Sequence, residues 1–383
     1  MKYSDEDLVS AAAEIGRSLP ERNIEIEKNR EIPVDIISSL RRAGIFHALV
    51  PKIYGGSEVH PAALIKIIRL VAEGDGAVGW NVMIGTTTGL LAASMPEIEA
   101  RKIYGSEPGV LTVGVTVPAG RAALVDGGYI VNGRWPFGSG SRHAEWVCGG
   151  CTVIERDGKK RLAKNGVPEV QLMMFSKDQI ELEDTWKVSG LKGTGSNHFS
   201  VRDQLVPLGR QVILGSVPEN PEPLYRFPTL GLLALGVSAV SLGIGYRALR
   251  AFKELAADKV PTGTKEKLIE NSLAQTAVAK ATANLESSEA YMDKVVNDCF
   301  RVVADGESLS KENRNKLRLA AVNTTARSAE AVRFLYQAGG GSSIYEQSQL
   351  QRCFRDVHVT TQHIMVAPSI YEMTGKAEME YDS

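Results

Sequence analysis

Residues 123–154 read ALVDGGYIVNGRWPFGSGSRHAEWVCGGCTVI, the pattern of β-strands joined by tight turns. Val, Ile, Leu and aromatic side chains gather in the short runs Ala123–Val131 and Trp146–Ile154. Asp126-Gly127 and Asn132-Gly133 are dipeptides that favour chain reversal. The same character extends outward: Val110–Val117, Gln171–Phe175 and Phe199–Val206 are further strand-like runs, and Asp157-Gly158 is another turn. A proline-rich hinge, Pro218 to Pro228, closes this β section.

On either side the period becomes helical. Ser4 with Asp7 is a capping signal, and Pro33 opens a helix whose apolar positions are Ile36, Ile37, Leu40 and Ala43. Gly44 ends it, and Tyr54-Gly55-Gly56 marks a turn. A second helix starts near His60 and Pro61 and runs through Leu64, Ile65, Ile68 and Val71. From about Thr229 the chain forms long Ala-rich helices, roughly Pro228–Lys259, Lys265–Val303 and Ser310–Ala338. Their small residues Ala320, Ala321, Thr324 and Ala331 suit close antiparallel packing. The expected class is α+β, mostly α, in three parts: helical over 1–108, β over 109–217 and a helical bundle over 218–383. Long bundle helices also favour association between subunits.

Composition narrows the function. The 383 residues are 43% hydrophobic and 23% charged with a formal net charge of −1, which gives no electrostatic reason to bind nucleic acid or an anionic membrane. The acidic, amphipathic start MKYSDEDLVSAAAEIG is not a secretion signal, and no apolar run reads as long enough to span a bilayer, so a cytoplasmic location is expected. Four cysteines are too few and scattered for a disulfide framework. Cys148-Gly-Gly-Cys151 has redox or zinc spacing but no second pair, and reads as structural, so no metal site is expected. Gly243-Ile-Gly245-Tyr-Arg-Ala248 matches a short dinucleotide fingerprint inside an Ala-rich helix with no strand before it. Its glycines read as helix-packing residues. The charged run Lys311 to Arg318 reads as a solvated helical face.

Several segments, in order, resemble the acyl-CoA dehydrogenase superfamily over nearly the whole chain. They are Gly44–Pro51 with Tyr54-Gly55-Gly56, Asp75–Asn81, Trp186–Asn197 (WKVSGLKGTGSN), Ala338–Gly341, and Leu350-Gln351-Arg352 with Arg355-Asp356. The resemblance implies an N-terminal helical domain, a central β-barrel-like domain and a C-terminal four-helix bundle. An acyl-CoA dehydrogenase needs a carboxylate to take the proton α to a thioester, commonly a glutamate eight residues after the terminal Arg-Asp. Here that position is Ile364, and the alternative location, Thr229 to Arg247, contains no acid.

His363 stands beside the vacated position. With Trp135–Trp146 and Arg355–His363 (RDVHVTTQH), it makes the chain similar to the two-component flavin-dependent monooxygenases, such as the oxygenase parts of 4-hydroxyphenylacetate hydroxylase, dibenzothiophene monooxygenase and indole oxygenases. That resemblance implies a homotetramer fed with reduced FMN or FAD by a separate NAD(P)H:flavin reductase. Oxygen then forms a flavin C4a-hydroperoxide, which oxygenates a small aromatic or heteroaromatic substrate such as a phenol, indole or thiophene.

In that reading His363 and Ser139 are catalytic. Ser139 offers a hydroxyl at the flavin N5 edge, and His363 either removes a substrate proton or donates one. Trp135, Phe137, Ser141, Trp186, Thr194, Ser196, Arg355 and Thr360 join Ser139 as flavin-binding candidates. Thr360 would share a helical face with His363, and Arg355 would meet a flavin phosphate or pair with Asp356. Trp80, Asn81, Thr86, Thr87 and Thr88 are candidates for the substrate wall, with His363; His143 and His198 are secondary ones. Unaided, the tryptophans read equally as core, Ser139 as a turn serine and His363 as structural. A flavin dehydrogenase or oxidase on a non-CoA substrate is the nearest alternative, and a catalytically silent scaffold of the same fold the other.

Overall fold

The computed structural model describes residues 3–105, 109–218 and 221–381. The expected boundary at 108/109 and part of the Pro218 to Pro228 hinge fall on residues outside these. Six α-helices precede the strands: α1 (Asp5–Ser18), α2 (Asn23–Asn29), α3 (Val34–Arg42), α4 (Pro61–Gly74), α5 (Gly76–Thr88) and α6 (Glu97–Tyr104). The Ser4 capping box forms: Ser4 Oγ accepts the Asp7 N–H at 3.1 Å, and the Asp7 carboxylate accepts the Ser4 N–H at 2.9 Å. His60 caps α4 by accepting the Ala62 N–H at 3.1 Å.

Helices α1 and α4 touch through backbone. A Cβ on Gly16 would stand 2.3 Å from the Leu70 carbonyl oxygen, and one on Gly74 would stand 2.1 Å from that of Gly16. Helix α5 has no polar face; all its residues but Ile84 and Thr88 are buried. It therefore sits inside, against α4, α8 and the first strand.

The strands are β1 (Thr112–Val125), β2 (Gly128–Gly138), β3 (Trp146–Ile154), β4 (Val170–Ser176), β5 (Glu181–Glu183), β6 (Asn197–Pro207) and β7 (Gln211–Val212), in one sheet of order β5-β6-β2-β1-β3-β4-β7. Only β1 and β3 run parallel; the other neighbours are antiparallel. The run Ala123–Val131 is two strands around the Asp126-Gly127 hairpin, where Gly127 has φ +82°.

Asn132-Gly133, by contrast, is not a turn but part of β2. Its glycine makes room for Trp135: added Cβ atoms on Gly120, Gly133 and Gly149 would come within 2.3, 2.3 and 2.6 Å of that indole. The ring stacks on Phe199 of β6 (centroids 5.0 Å apart), tilts against Phe175 of β4 (5.7 Å), and donates its N–H to the Gly150 carbonyl at 2.8 Å. Strands far apart in the sheet order thus converge on one side chain, which gives the sheet its barrel-like closure. Trp135 is fully buried there and is not a flavin wall.

The rest is helical: α7 (Pro223–Arg226), α8 (Thr229–Asp258), α9 (Ser272–Ala304), α10 (Lys311–Ala338), α11 (Gln349–Thr360) and α12 (Ser369–Tyr381). In length and composition α8 could cross a membrane, contrary to the expectation that no run is long enough. However, 78% of its most apolar window is buried, as in a core helix. Gly243 and Gly245 let it pack closely: Cβ atoms there would lie 2.5 Å from the Arg69 carbonyl oxygen and 2.5 Å from a Leu285 methyl. Cys148 and Cys151, both buried in β3, belong to two different apolar clusters. Burial pushes each thiol up to about 12. Along Lys311–Arg318 only Asn315 and Leu317 are buried.

Candidate active site

Four parts of the chain meet at one buried polar cluster: α5, the end of β2, the loop before β6 and the turn after α11. Asp75 caps α5, accepting the N–H groups of Ala77 (2.8 Å) and Val78 (3.1 Å), and so sets the pitch that carries Trp80 and Asn81 inward. The Trp80 indole N–H donates to Ser139 Oγ at 3.1 Å. Ser139 Oγ lies 2.7 Å from Ser196 Oγ, which lies 2.6 Å from Thr194 Oγ1, and Thr194 donates to the Leu191 carbonyl at 2.9 Å. Trp80 and His363 meet in a T-shaped contact, with centroids 5.7 Å apart.

A second strut is Asn81, whose amide N–H donates to the Thr194 carbonyl at 3.4 Å, beside the Gly140 N–H at 3.2 Å. Its Oδ1 is buried without a partner, and so is Ser141 Oγ. Gly140 (φ +73°) keeps Asn81 Oδ1 clear, since a Cβ there would sit 3.2 Å away. Phe137, at φ +65° and 64% exposed, and half-buried Trp186 meet edge-to-face at 6.2 Å next to the serines. A bulky side chain at positive φ is sterically costly, and such strain concentrates at functional sites. Two orphaned polar atoms, a hydroxyl chain and an aromatic edge fit a planar heteroaromatic group with polar edges, as a flavin is.

His363 is half-buried. It caps the short turn Ile364–Val366, its Nδ1 accepting the Met365 N–H at 3.4 Å, and burial holds its pKa below the usual imidazole value. Ile364 beside it is 77% exposed and bears no acid.

The buried carboxylates among the described residues are Asp75, Glu99 and Asp356, and each faces an arginine. Arg352 meets Asp75 at 2.6 Å and Asp356 at 3.7 Å; Arg210 meets Glu99 at 2.6 Å. Asp356 also accepts the Leu191 N–H at 2.6 Å, which ties α11 to the loop carrying Thr194 and Ser196. Burial pushes this carboxyl up to about 6.

Other expected site residues are engaged elsewhere. Arg355 does not pair with Asp356. It pairs with Glu27 at 2.7 Å, donates to Gln351 at 2.7 Å and also holds the Ser189 carbonyl. Thr360 ends α11, so it shares no helix face with His363. Its buried hydroxyl donates to the Val357 carbonyl (2.7 Å) and accepts from Ser241 (2.8 Å).

The threonine wall dissolves in the same way. Thr86 and Thr87 donate back to carbonyls of α5 (Val82 at 2.8 Å, Met83 at 2.7 Å), and Thr88 bonds to the Thr112 carbonyl at 2.6 Å. Gly193, in the Trp186–Asn197 segment, faces Ile26, whose methyl would lie 2.2 Å from a Cβ. His143 lies 3.5 Å from Glu31 rather than on the hydroxyl chain, and His198 is half-buried in β6. Sequence reading missed the Arg352–Asp75 pair; its only local sign is that arginine and aspartate fall within two of the quoted motifs.

The profile of the acyl-CoA dehydrogenase C-terminal domain matches residues 235–368. Indole-3-acetate monooxygenase of Pseudomonas putida is 32% identical, over 92% of this chain and 88% of that protein. The oxygenase component of p-hydroxyphenylacetate 3-hydroxylase from Acinetobacter baumannii is 28% identical, over 93% and 85%. Among solved structures, 3-HSA hydroxylase from Rhodococcus sp. RHA1 superposes with a TM-score of 0.90 at 26% identity, covering 98% of this chain and 97% of that one.

Proposed function

We propose that this chain, which belongs to the flavin-dependent monooxygenases built on the acyl-CoA dehydrogenase fold, is fed by a separate NAD(P)H:flavin reductase and oxygenates a small aromatic or heteroaromatic compound such as a phenol, indole or thiophene. The observation that carries the reading is the composition of the cluster. His363 and a chain of hydroxyls line it, and the buried carboxylates nearby are held by Arg352. Removing a carbon-bound proton needs a free base, which that arrangement does not offer.

Reduced flavin, when bound, supplies the electrons that activate oxygen. Ser139, Asn81 and Ser141 would hold its polar edge, and Phe137 and Trp186 would flank it and shed water. Thr194 and Ser196 act on it through Ser139. Trp80 separates this chain from His363 and forms the substrate side together with Asn81. Because Nδ1 of His363 accepts the Met365 N–H, the neutral ring carries its proton on Nε2. Burial favours that neutral form. His363 therefore presents an N–H donor to an oxygen or anionic atom of the substrate; acting as a base would require breaking the Met365 bond. A cytoplasmic homotetramer belongs to the same reading, its association resting on the long bundle helices.

Photoreduced FMN or FAD, mixed with oxygenated buffer, the protein and a panel of phenols, indoles and thiophenes, tests this. The expected result is slowed flavin reoxidation and an oxygenated product retaining one atom of labelled O2. Reoxidation at the free rate with no product would falsify the assignment.

A further inference from the structure

We infer that the hydroxyl chain running from Trp80 to Leu191 is polarised so that Ser139 is a hydrogen-bond acceptor, and that this polarity makes the site select reduced over oxidised flavin. The inference rests on the flavin reading above and adds the residues that set the choice. The chain has four links, of 3.1, 2.7, 2.6 and 2.9 Å, passing through Ser139, Ser196 and Thr194. An indole N–H can only donate and a carbonyl can only accept, while each hydroxyl has one proton and two lone pairs. If every proton points towards Leu191, all four links are satisfied: Trp80 donates to Ser139, Ser139 to Ser196, Ser196 to Thr194 and Thr194 to the carbonyl.

Reversing the chain leaves the Ser139 O–H without an acceptor and takes the Thr194 hydroxyl off the Leu191 carbonyl, which keeps only the Thr194 N–H at 3.1 Å and the Trp186 indole N–H at 3.2 Å. Trp80, Ser139, Ser196 and Thr194 are all less than a tenth exposed, so water does not compensate for an orphaned proton. In the favoured direction Ser139 Oγ has spent one lone pair on Trp80 and its proton on Ser196. One lone pair is left. A ligand atom that approaches Ser139 must bring a hydrogen. Reduced flavin carries one on N5; oxidised flavin presents a bare nitrogen there. Reduced flavin therefore gains one hydrogen bond over the oxidised form, which can be matched only by flipping the chain and losing the Leu191 link. The Leu191 carbonyl is the sink that fixes the direction, so Thr194 and Ser196 are positioning residues acting through Ser139.

Dissociation constants of FMN and FAD in both redox states, titrated anaerobically against the intact protein, test the proposal without turnover. Wild type is expected to bind the reduced form more tightly. Thr194→Val, which removes the link to the sink, and Ser196→Ala, which leaves the Ser139 proton free, should each lower the reduced-to-oxidised preference by about five- to tenfold, the worth of one hydrogen bond. Thr194→Ser should restore it. Trp80→Phe, which removes a donor but leaves the acceptor end intact, should keep it. An unchanged preference in both Thr194→Val and Ser196→Ala, with reduced flavin still bound, overturns the polarity and leaves the monooxygenase reading standing. If wild type binds neither redox form, the flavin reading fails and this inference fails with it.

Discussion

Replacing Arg352 by Met should expose how much the bundle contributes to holding the site. The guanidinium is buried at the junction of α2, α5 and α11. It donates to Asp75 Oδ2 at 2.6 Å and to the Asn23 carbonyl, and its Nε lies 3.7 Å from Asp356 and 3.8 Å from Glu27. Methionine fills similar volume, so the cavity term is small, but Asp75 and Asp356 are left facing each other without the cation that bridges them. Breaking a buried pair from one side costs about 3–5 kcal/mol.

The loss should depend on pH in a definite sense. Asp356 is already pushed up to about 6 by burial, above its unfolded value of 3.8. A carboxyl raised in the folded state contributes stability that is fully present below the unfolded value and is lost as pH rises through the folded one. Without Arg352 the Asp356 carboxyl loses the cation that opposes its rise, so the deficit of the variant should be larger at pH 8 than at pH 5. Urea unfolding at the two pH values measures this. At a slope on the order of 3 kcal/mol/M the pH 8 midpoint should fall by about 1 M or more. Asp75→Asn in the same background should recover part of it. A variant that loses less than about 1 kcal/mol, equally at both pH values, would refute the view that Arg352 neutralises a buried pair.

Three further outcomes follow from the same geometry. His363, held below the usual imidazole value by burial, contributes stability that is present above the unfolded pKa of about 6.5 and is lost as pH falls through its depressed folded value; its ring resonances should titrate below 6.5, and His363→Gln should flatten the decline in unfolding midpoint between pH 7.5 and 5.5. Gly133→Ala, whose Cβ would lie 2.3 Å from the Trp135 ring, should destabilise by about 1–3 kcal/mol in thermal or urea unfolding, with Trp135→Phe in the same chain recovering part of the loss; a neutral Gly133→Ala contradicts the packed-barrel account. The four thiols are buried and pushed up to about 12, 12, 11 and 12 at Cys148, Cys151, Cys299 and Cys353, so Ellman's reagent should label none of them until denaturant is added; fast labelling of Cys148 and Cys151 in the folded protein would revive a redox role for that pair.

The sequence by itself determined the helix–sheet–bundle order, the Ser4 cap, the helix start at His60, the Asp126-Gly127 hairpin and the missing acid at Ile364, because periodicity, capping and turn chemistry act between residues a few positions apart. It also carried the family, through short motifs. Tertiary structure alone decided what each marked side chain faces. Trp135 closes the barrel because glycines on three strands vacate its volume, and Asn132-Gly133 stays inside a strand for the same reason. Arg355 and Thr360 turn to Glu27 and Ser241, neither of which is near them in the chain. The hydroxyl relay joins Trp80 to Ser139 across 59 positions, and Arg352 joins Asp75 across 277. Such pairings depend on how whole elements pack, and no local pattern of residues encodes them.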